Sequence, residues 1–201
     1  MKALLALFAL VCTLLACATV PPTTRAPDVT KVAAWKEFEL TLHADVDFTD
    51  TGRGRIQEAA KKWRAASSGR VRIDVVFDLD FSSVANLQGH QESGDSLLLG
   101  VLSEYPIAKR IDAVIGSPGR MPLAATMSSD GGPTIVVLIL DRIESDDFLS
   151  VVTHELGHVA GLPDLPTFGS VMSGARRRGD TSVENFTTDD QELCRSAKLC
   201  P

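Results

Sequence analysis

Thr153-His154-Glu155-Leu156-Gly157-His158-Val159-Ala160-Gly161-Leu162-Pro163-Asp164 is the stretch that decides how the rest of the chain is read. On a helix, His154 and His158 stand at i and i+4, so both imidazoles lie on one face, one turn apart. Just upstream, Ser145-Asp146-Asp147 places acids where a helix N-terminus favours negative charge, and a helix is expected over Ser145 to Gly161. Gly161 permits the left-handed conformation that closes a helix, and Pro163 cannot continue one. The chain therefore turns back and places Asp164 beside the two histidines.

Upstream of this helix, strand and helix patterns alternate. Trp35 to Asp47 alternates in places, with Phe38, Leu40 and Leu42 against Glu37, Glu39 and Thr41, as a strand with one buried face does. Ile56, Ala59, Ala60 and Trp63 recur at helical spacing, so Gly52 to Ser68 is expected as a helix stopped by Ser67-Ser68-Gly69. Val71 to Phe77 alternates again. Ser96 to Leu102 and Ala113 to Ile115 are expected as short strands separated by polar or Gly-containing loops. Met121 to Ser128 and Thr134 to Leu140 read as two strands about the turn Asp130-Gly131-Gly132-Pro133. Thr187 or Thr188 can cap a last helix through Asp189, Asp190 and Leu193. There are no internal repeats, and the pattern predicts a single α+β domain.

Composition bounds what such a domain does. The chain has 201 residues, 44% hydrophobic and 23% charged, enough for a packed core and unlike a disordered or fibrous chain. Its 20 Lys+Arg against 26 Asp+Glu give a net charge of −6, which argues against a nucleic-acid partner, since phosphate binding wants a basic face.

The chemistry follows from the residue types. Two imidazoles one helical turn apart reach one metal ion, and Asp164 supplies a third ligand, which leaves one position open for water, as in catalytic sites. Glu155, beside the first ligand, can take a proton from the attacking water and pass it to a leaving amine. Zn²⁺ is the expected cofactor, although imidazole and carboxylate accept several metals.

These residues resemble the H-E-x-x-H-x-x-G-x-x-[HD] signature of the metzincin zinc endopeptidases. His154-Glu155-Leu156-Gly157-His158 is most similar to the matrixin branch, and Asp164 in place of a third histidine resembles snapalysin-type members. The resemblance implies a twisted mixed sheet with two long helices, the active-site helix and the C-terminal helix. It also implies a methionine turn below the metal, which Ser170-Val171-Met172-Ser173-Gly174 fits through Met172. Arg55 to Val76, with Trp63, is similar to the first helix and second strand of matrixins. Phe186-Thr187-Thr188-Asp189-Asp190 is similar to the start of their last helix. Ser117-Pro118-Gly119-Arg120-Met121-Pro122-Leu123-Ala124-Ala125 resembles the run into their upper-rim edge strand. By that likeness an extended substrate pairs with Leu123, Ala124 and Ala125, with main-chain bonds giving affinity. Ser173 and Gly174 stand where an aromatic often follows the methionine, a departure at the specificity pocket wall. No cysteine-switch propeptide is expected.

At the N-terminus, Lys2 precedes an apolar run from Ala3 to Ala18, too short for a comfortable membrane span and suited to a secretory signal. Leu14-Leu15-Ala16-Cys17 resembles a bacterial lipobox, which implies cleavage before Cys17 and a diacylglycerol on its thiol. The expected organisation is a signal peptide over 1–16, a lipid anchor and Thr/Pro-rich tether over 17–33, and a metzincin-like zinc protease domain over 34–201. Ala18 after Cys17 leans towards the outer membrane. Export leaves Cys194 and Cys200 to pair in an oxidising compartment, with two free thiols as the alternative. Six residues of continuous helix would hold their Cα atoms about 9 Å apart, so a bridge requires the last helix to end near Ala197 and the tail to fold back.

The remaining features are expected to be ordinary. His43 and His90 are separated from the motif and from any matching carboxylate and read as ordinary surface or satisfied histidines. Asp45, Asp47 and Asp50 read as solvated loop acids rather than a calcium loop. Arg176-Arg177-Arg178 reads as a solvated loop, and nothing places Tyr105, the only tyrosine, at the site. Together these readings predict a monomeric, lipid-anchored zinc endopeptidase acting on protein or peptide substrates. The alternatives are a metal-binding lipoprotein scaffold or binding module without turnover, and a zinc hydrolase acting on something other than protein.

Overall fold

Alternating apolar residues sort one sheet into two buried faces, and helices cover both. The computed structural model describes residues 35–116, 121–128, 132–174 and 185–201. The expected signal peptide, Cys17 and the expected tether, Ser117-Pro118-Gly119-Arg120, Asp130-Gly131 and Arg176-Arg177-Arg178 lie outside the described residues. The elements run β1 (Phe38–Asp45), α1 (Asp50–Ala66), β2 (Val71–Leu79), α2 (Val84–Ser93), β3 (Ser96–Val101), α3 (Pro106–Ile115), β4 (Ala124–Ser128), β5 (Thr134–Ile139), α4 (Phe148–Val159) and α5 (Thr188–Ser196).

The sheet order is β2-β1-β3-β5-β4, parallel throughout except for the antiparallel edge strand β4. Parallel strands need crossover connections: α1 joins the neighbours β1 and β2, and α2 carries the chain from β2 past β1 to β3. One face carries Leu42, Ala44, Ile73, Leu98, Val136 and Leu138 against Ile56 and Trp63 of α1 and Val152 and Leu156 of α4. The other carries Leu97, Leu99, Ile135, Val137 and Ile139 against Leu87 of α2 and Ile107 and Ile111 of α3. β5 is buried at every position, as a central strand covered on both sides must be. The single domain and the mixed sheet expected from the sequence are present. Helices lie on both faces, so the layering is mixed α/β rather than segregated. Among the described residues the longest helix is α1, with 17 residues, whereas the C-terminal α5 has only nine.

The stretch between β2 and β4 corrects the sequence expectation. Ala113 to Ile115 is the end of α3, not a strand, because Ile107, Ala108 and Ile111 bury one helical face and Pro106 opens the first turn. α2 occupies a segment for which the sequence pattern gives no element, capped by the Ser83 side chain and closed by Gly94 at φ 72°. The expected helix over Ser145 to Gly161 begins as a 3-10 turn at Ser145–Asp147 and is α-helical from Phe148. At the C-terminus α5 ends at Ser196, Lys198 takes a positive φ of 64°, and the tail returns to form the Cys194–Cys200 disulfide with a Cα separation of 5.2 Å. Thr187 caps α5 in a reciprocal capping box with Asp190.

Candidate metal centre

α4 presents His154 and His158 on one face because they are four residues apart on an intact helix. Gly161 follows at φ 85° and turns the chain back. The return strand pairs with the 170–174 turn: the Leu165 N–H donates to the Met172 carbonyl at 2.6 Å, and Leu165 bridges to Ser173. That pairing carries Asp164 under the imidazoles. Nε2 of His154 and Nε2 of His158 are 3.0 Å apart, and each lies 3.3 Å from Oδ1 of Asp164.

The outer hydrogen bonds set which nitrogen faces the centre. A carbonyl oxygen only accepts, so Nδ1 of His154 donates to Val171 O at 2.9 Å and Nδ1 of His158 donates to Leu162 O at 2.7 Å. Both Nε2 lone pairs are then directed to the point shared with Asp164, the orientation that backbone carbonyls impose on metal-bound histidines. A tetrahedral zinc ion with bonds of about 2.0–2.2 Å spaces its ligand atoms about 3.3–3.5 Å apart. Both distances to Asp164 meet that spacing and the imidazole pair, at 3.0 Å, lies about 0.3 Å inside it, so the residues present fit a zinc ion after a slight separation of the rings. His154, His158 and Asp164 are one of two groups among the described residues whose donor atoms lie close enough to hold a metal.

The turn that supplies the Val171 carbonyl is itself fixed by one buried carboxylate. Asp190 accepts from Ser170 Oγ at 2.5 Å, from the Val171 and Met172 N–H groups at 3.0 Å each, and from Thr187 N–H and Oγ1 at 2.8 and 2.7 Å. Burial alone would raise its pKa, but these donors override it and hold the carboxyl below its ordinary value. Asp190 thus positions Val171 O, and through it His154.

Glu155 is buried beside the first histidine, and Thr126 Oγ1 on β4 donates to its Oε2 at 2.6 Å. Burial raises the Glu155 carboxyl above its ordinary value against the lowering pull of His154, Thr126 and His158. The Asp164 carboxyl is held low, first by its hydrogen bond to His154, with burial opposing. Burial works to lower the His154 pKa, yet Asp164, Glu155 and the Val171 carbonyl together raise it.

Packing brings the methionine turn against the helix. Met172 is fully buried, and a Cβ on Gly157 would stand 2.3 Å from its Sδ and 2.8 Å from Trp63 Cζ2. Trp63 Nε1 donates to Thr153 O at 2.7 Å, which ties α1 to the turn before His154. Ala124 and Ala125 lie on the edge strand β4, and Leu123, just before it, accepts from Ile139 N–H at 2.9 Å. Thr126 was not singled out in the sequence. Its contact with Glu155 spans 29 residues, and only the docking of α4 on β4 creates it.

Three smaller expectations need correction or placement. Asp45 is buried, not solvated, and burial raises its carboxyl despite the Asp47 N–H it accepts at 3.0 Å. His43 and His90 are satisfied histidines, each with a carboxylate at 2.9 Å, Asp78 and Asp95 respectively. Tyr105 precedes α3 and packs with Phe81 in the second core, on the sheet face away from α4. Neither a scan against protein-family models nor a search of the curated proteins finds a match for this chain.

Proposed function

We propose that the chain is a zinc-dependent endopeptidase of metzincin type, matrixin-like with Asp164 as third ligand, anchored to a bacterial membrane through Cys17. One observation carries the catalytic reading: three donor atoms converge at 3.0, 3.3 and 3.3 Å beside a buried carboxylate. His154, His158 and Asp164 hold the ion, and zinc, when bound, supplies Lewis acidity. Glu155 accepts the proton of the attacking water and delivers it to the leaving amine, and Thr126 keeps its carboxylate in place. On this edge strand Ala124 turns its main-chain N–H and C=O outward to an extended peptide, while Ala125, like Leu123, is paired with β5. The antiparallel β4–β5 pairing leaves the outer side of β4 for that peptide, and Glu155 stands next to the same strand.

The lipobox-like Leu14-Leu15-Ala16-Cys17 supports export, and the Cys194–Cys200 disulfide is consistent with an oxidising compartment. Replacing Cys17 by Ser tests the anchor: the protein then leaves the membrane fraction if the thiol carries the lipid. The catalytic reading is tested by incubating the zinc-loaded protein and Glu155→Ala with a mixed peptide library and mapping cuts by mass spectrometry. Cuts made only by the wild type support the endopeptidase. An identical cut pattern contradicts the role of Glu155, and zinc held without any cut contradicts the endopeptidase and favours the binding module.

A further inference from the structure

All four histidines of the chain fall into two clusters, two in each. The second lies on the face of the sheet away from α4. His43 is on β1 and pairs in register with Leu97 of the second core. Asp78 is the extra residue where the β1–β2 register slips, since Ala44 pairs with Phe77 and Asp45 with Leu79. A register break of this kind re-aims a side chain, and here it brings Asp78 Oδ1 to 2.9 Å from His43 Nδ1. His90, on α2, stacks at a tilt on His43 with ring centroids 4.6 Å apart. Asp95, just before β3, lies 2.9 Å from His90 Nδ1 and 3.9 Å from His43 Nε2.

We propose that His43, Asp78 and His90 form a second divalent-metal site of the zinc class, with Asp95 bracing His90. One donor atom from each of the three lies within 4.8 Å of the others. A tetrahedral zinc site needs about 3.3–3.5 Å, so binding draws the donors together by small side-chain rotations of the imidazoles and of Asp78, which is 43% exposed. Two imidazoles and two carboxylates match a dication in both ligand type and charge. A carboxylate on the ring nitrogen of His90 is the partner that orients metal-bound histidines.

The site has a structural consequence. α2 buries only Leu87, so little apolar packing fastens it to the sheet. An ion held by β1, β2 and α2 staples the β2–α2–β3 crossover at the point where the core does least. It does not touch the catalytic cluster, which sits on the opposite sheet face.

The test uses the untagged full-length chain, stripped of metal and titrated with Zn²⁺, with bound zinc counted and hydrogen exchange followed over residues 84–93. The wild type binds two equivalents, His90→Gln and Asp78→Asn each bind one, and His158→Gln binds the other one. Zinc at a hundredfold over Kd slows exchange in α2 by about a hundredfold, in the wild type and in His158→Gln but not in His90→Gln. Asp95→Asn, which keeps all three ligands, weakens the second equivalent by about 10–100-fold. A single equivalent lost in His158→Gln and unaffected by His90→Gln overturns the second site and leaves the catalytic one standing. Two equivalents with no α2 protection in His158→Gln place the second ion elsewhere and also overturn it.

Discussion

A Cβ on Gly174 would stand 2.7 Å from Cγ of Asp164 and 2.8 Å from its Oδ2. The small residue after Ser173 therefore keeps space open for the carboxylate that completes the metal cluster. The Asp164 side chain is 58% exposed, so under pressure it swings out rather than unfolding the loop. Gly174→Ala is expected to lower zinc affinity at this centre by about 10–100-fold with little loss of stability. Competition with a chromophoric chelator, alongside a thermal melt, checks both halves.

Among the described residues, Thr126 is the one side-chain hydrogen-bond donor to Glu155. Thr126→Val keeps the shape and removes the donor, and turnover should fall about tenfold while zinc content stays at the wild-type level. Thr126→Ser restores the rate. Equal turnover in Val and wild type would show that Glu155 is positioned without it.

Gly157 separates the two halves of the histidine pair, and its missing Cβ is filled by Met172 and Trp63. Alanine would favour the helix by about 1 kcal/mol. Both neighbours are fully buried and have nowhere to go, so Gly157→Ala should destabilise by about 1–3 kcal/mol overall. Denaturant unfolding measures the sign directly.

Asp190 makes a pH signature. Its folded pKa lies below the reference value of 3.8, so its stabilisation is complete above that value. It is lost as pH falls through the lower, folded value. Asp190→Asn leaves N–H donors without an acceptor and should cost about 2–3 kcal/mol near neutral pH. The difference between wild type and variant should shrink on acidification below about pH 4. Urea unfolding from pH 2.5 to 7 tests this, and a constant difference would reject the role.

What was legible in the sequence is what local spacing encodes. His154 and His158 share a face by helix geometry alone, Gly161 closes the helix by its backbone freedom, and the Cys194–Cys200 bridge needed only a helix ending near Ala197. The twofold alternation of Val71, Ile73 and Val75 marked β2. α2 was missed because one buried residue, Leu87, leaves almost no apolar periodicity. Ala113 to Ile115 was misjudged because three apolar residues suit a strand or a helix end equally. Thr126 under Glu155, Val171 O on His154 and Asp78 on His43 join residues 29, 17 and 35 positions apart. Only the packed fold brings such residues together, so no spacing rule could have found them.

The most direct measurement of the central claim is turnover of a single peptide substrate by wild type and Glu155→Gln at equal, measured zinc occupancy. The account predicts that Glu155→Gln keeps its zinc and loses about 10²–10⁴-fold in kcat, the scale of general acid–base catalysis. Comparable kcat in the two proteins, with the metal centre filled in both, would contradict it.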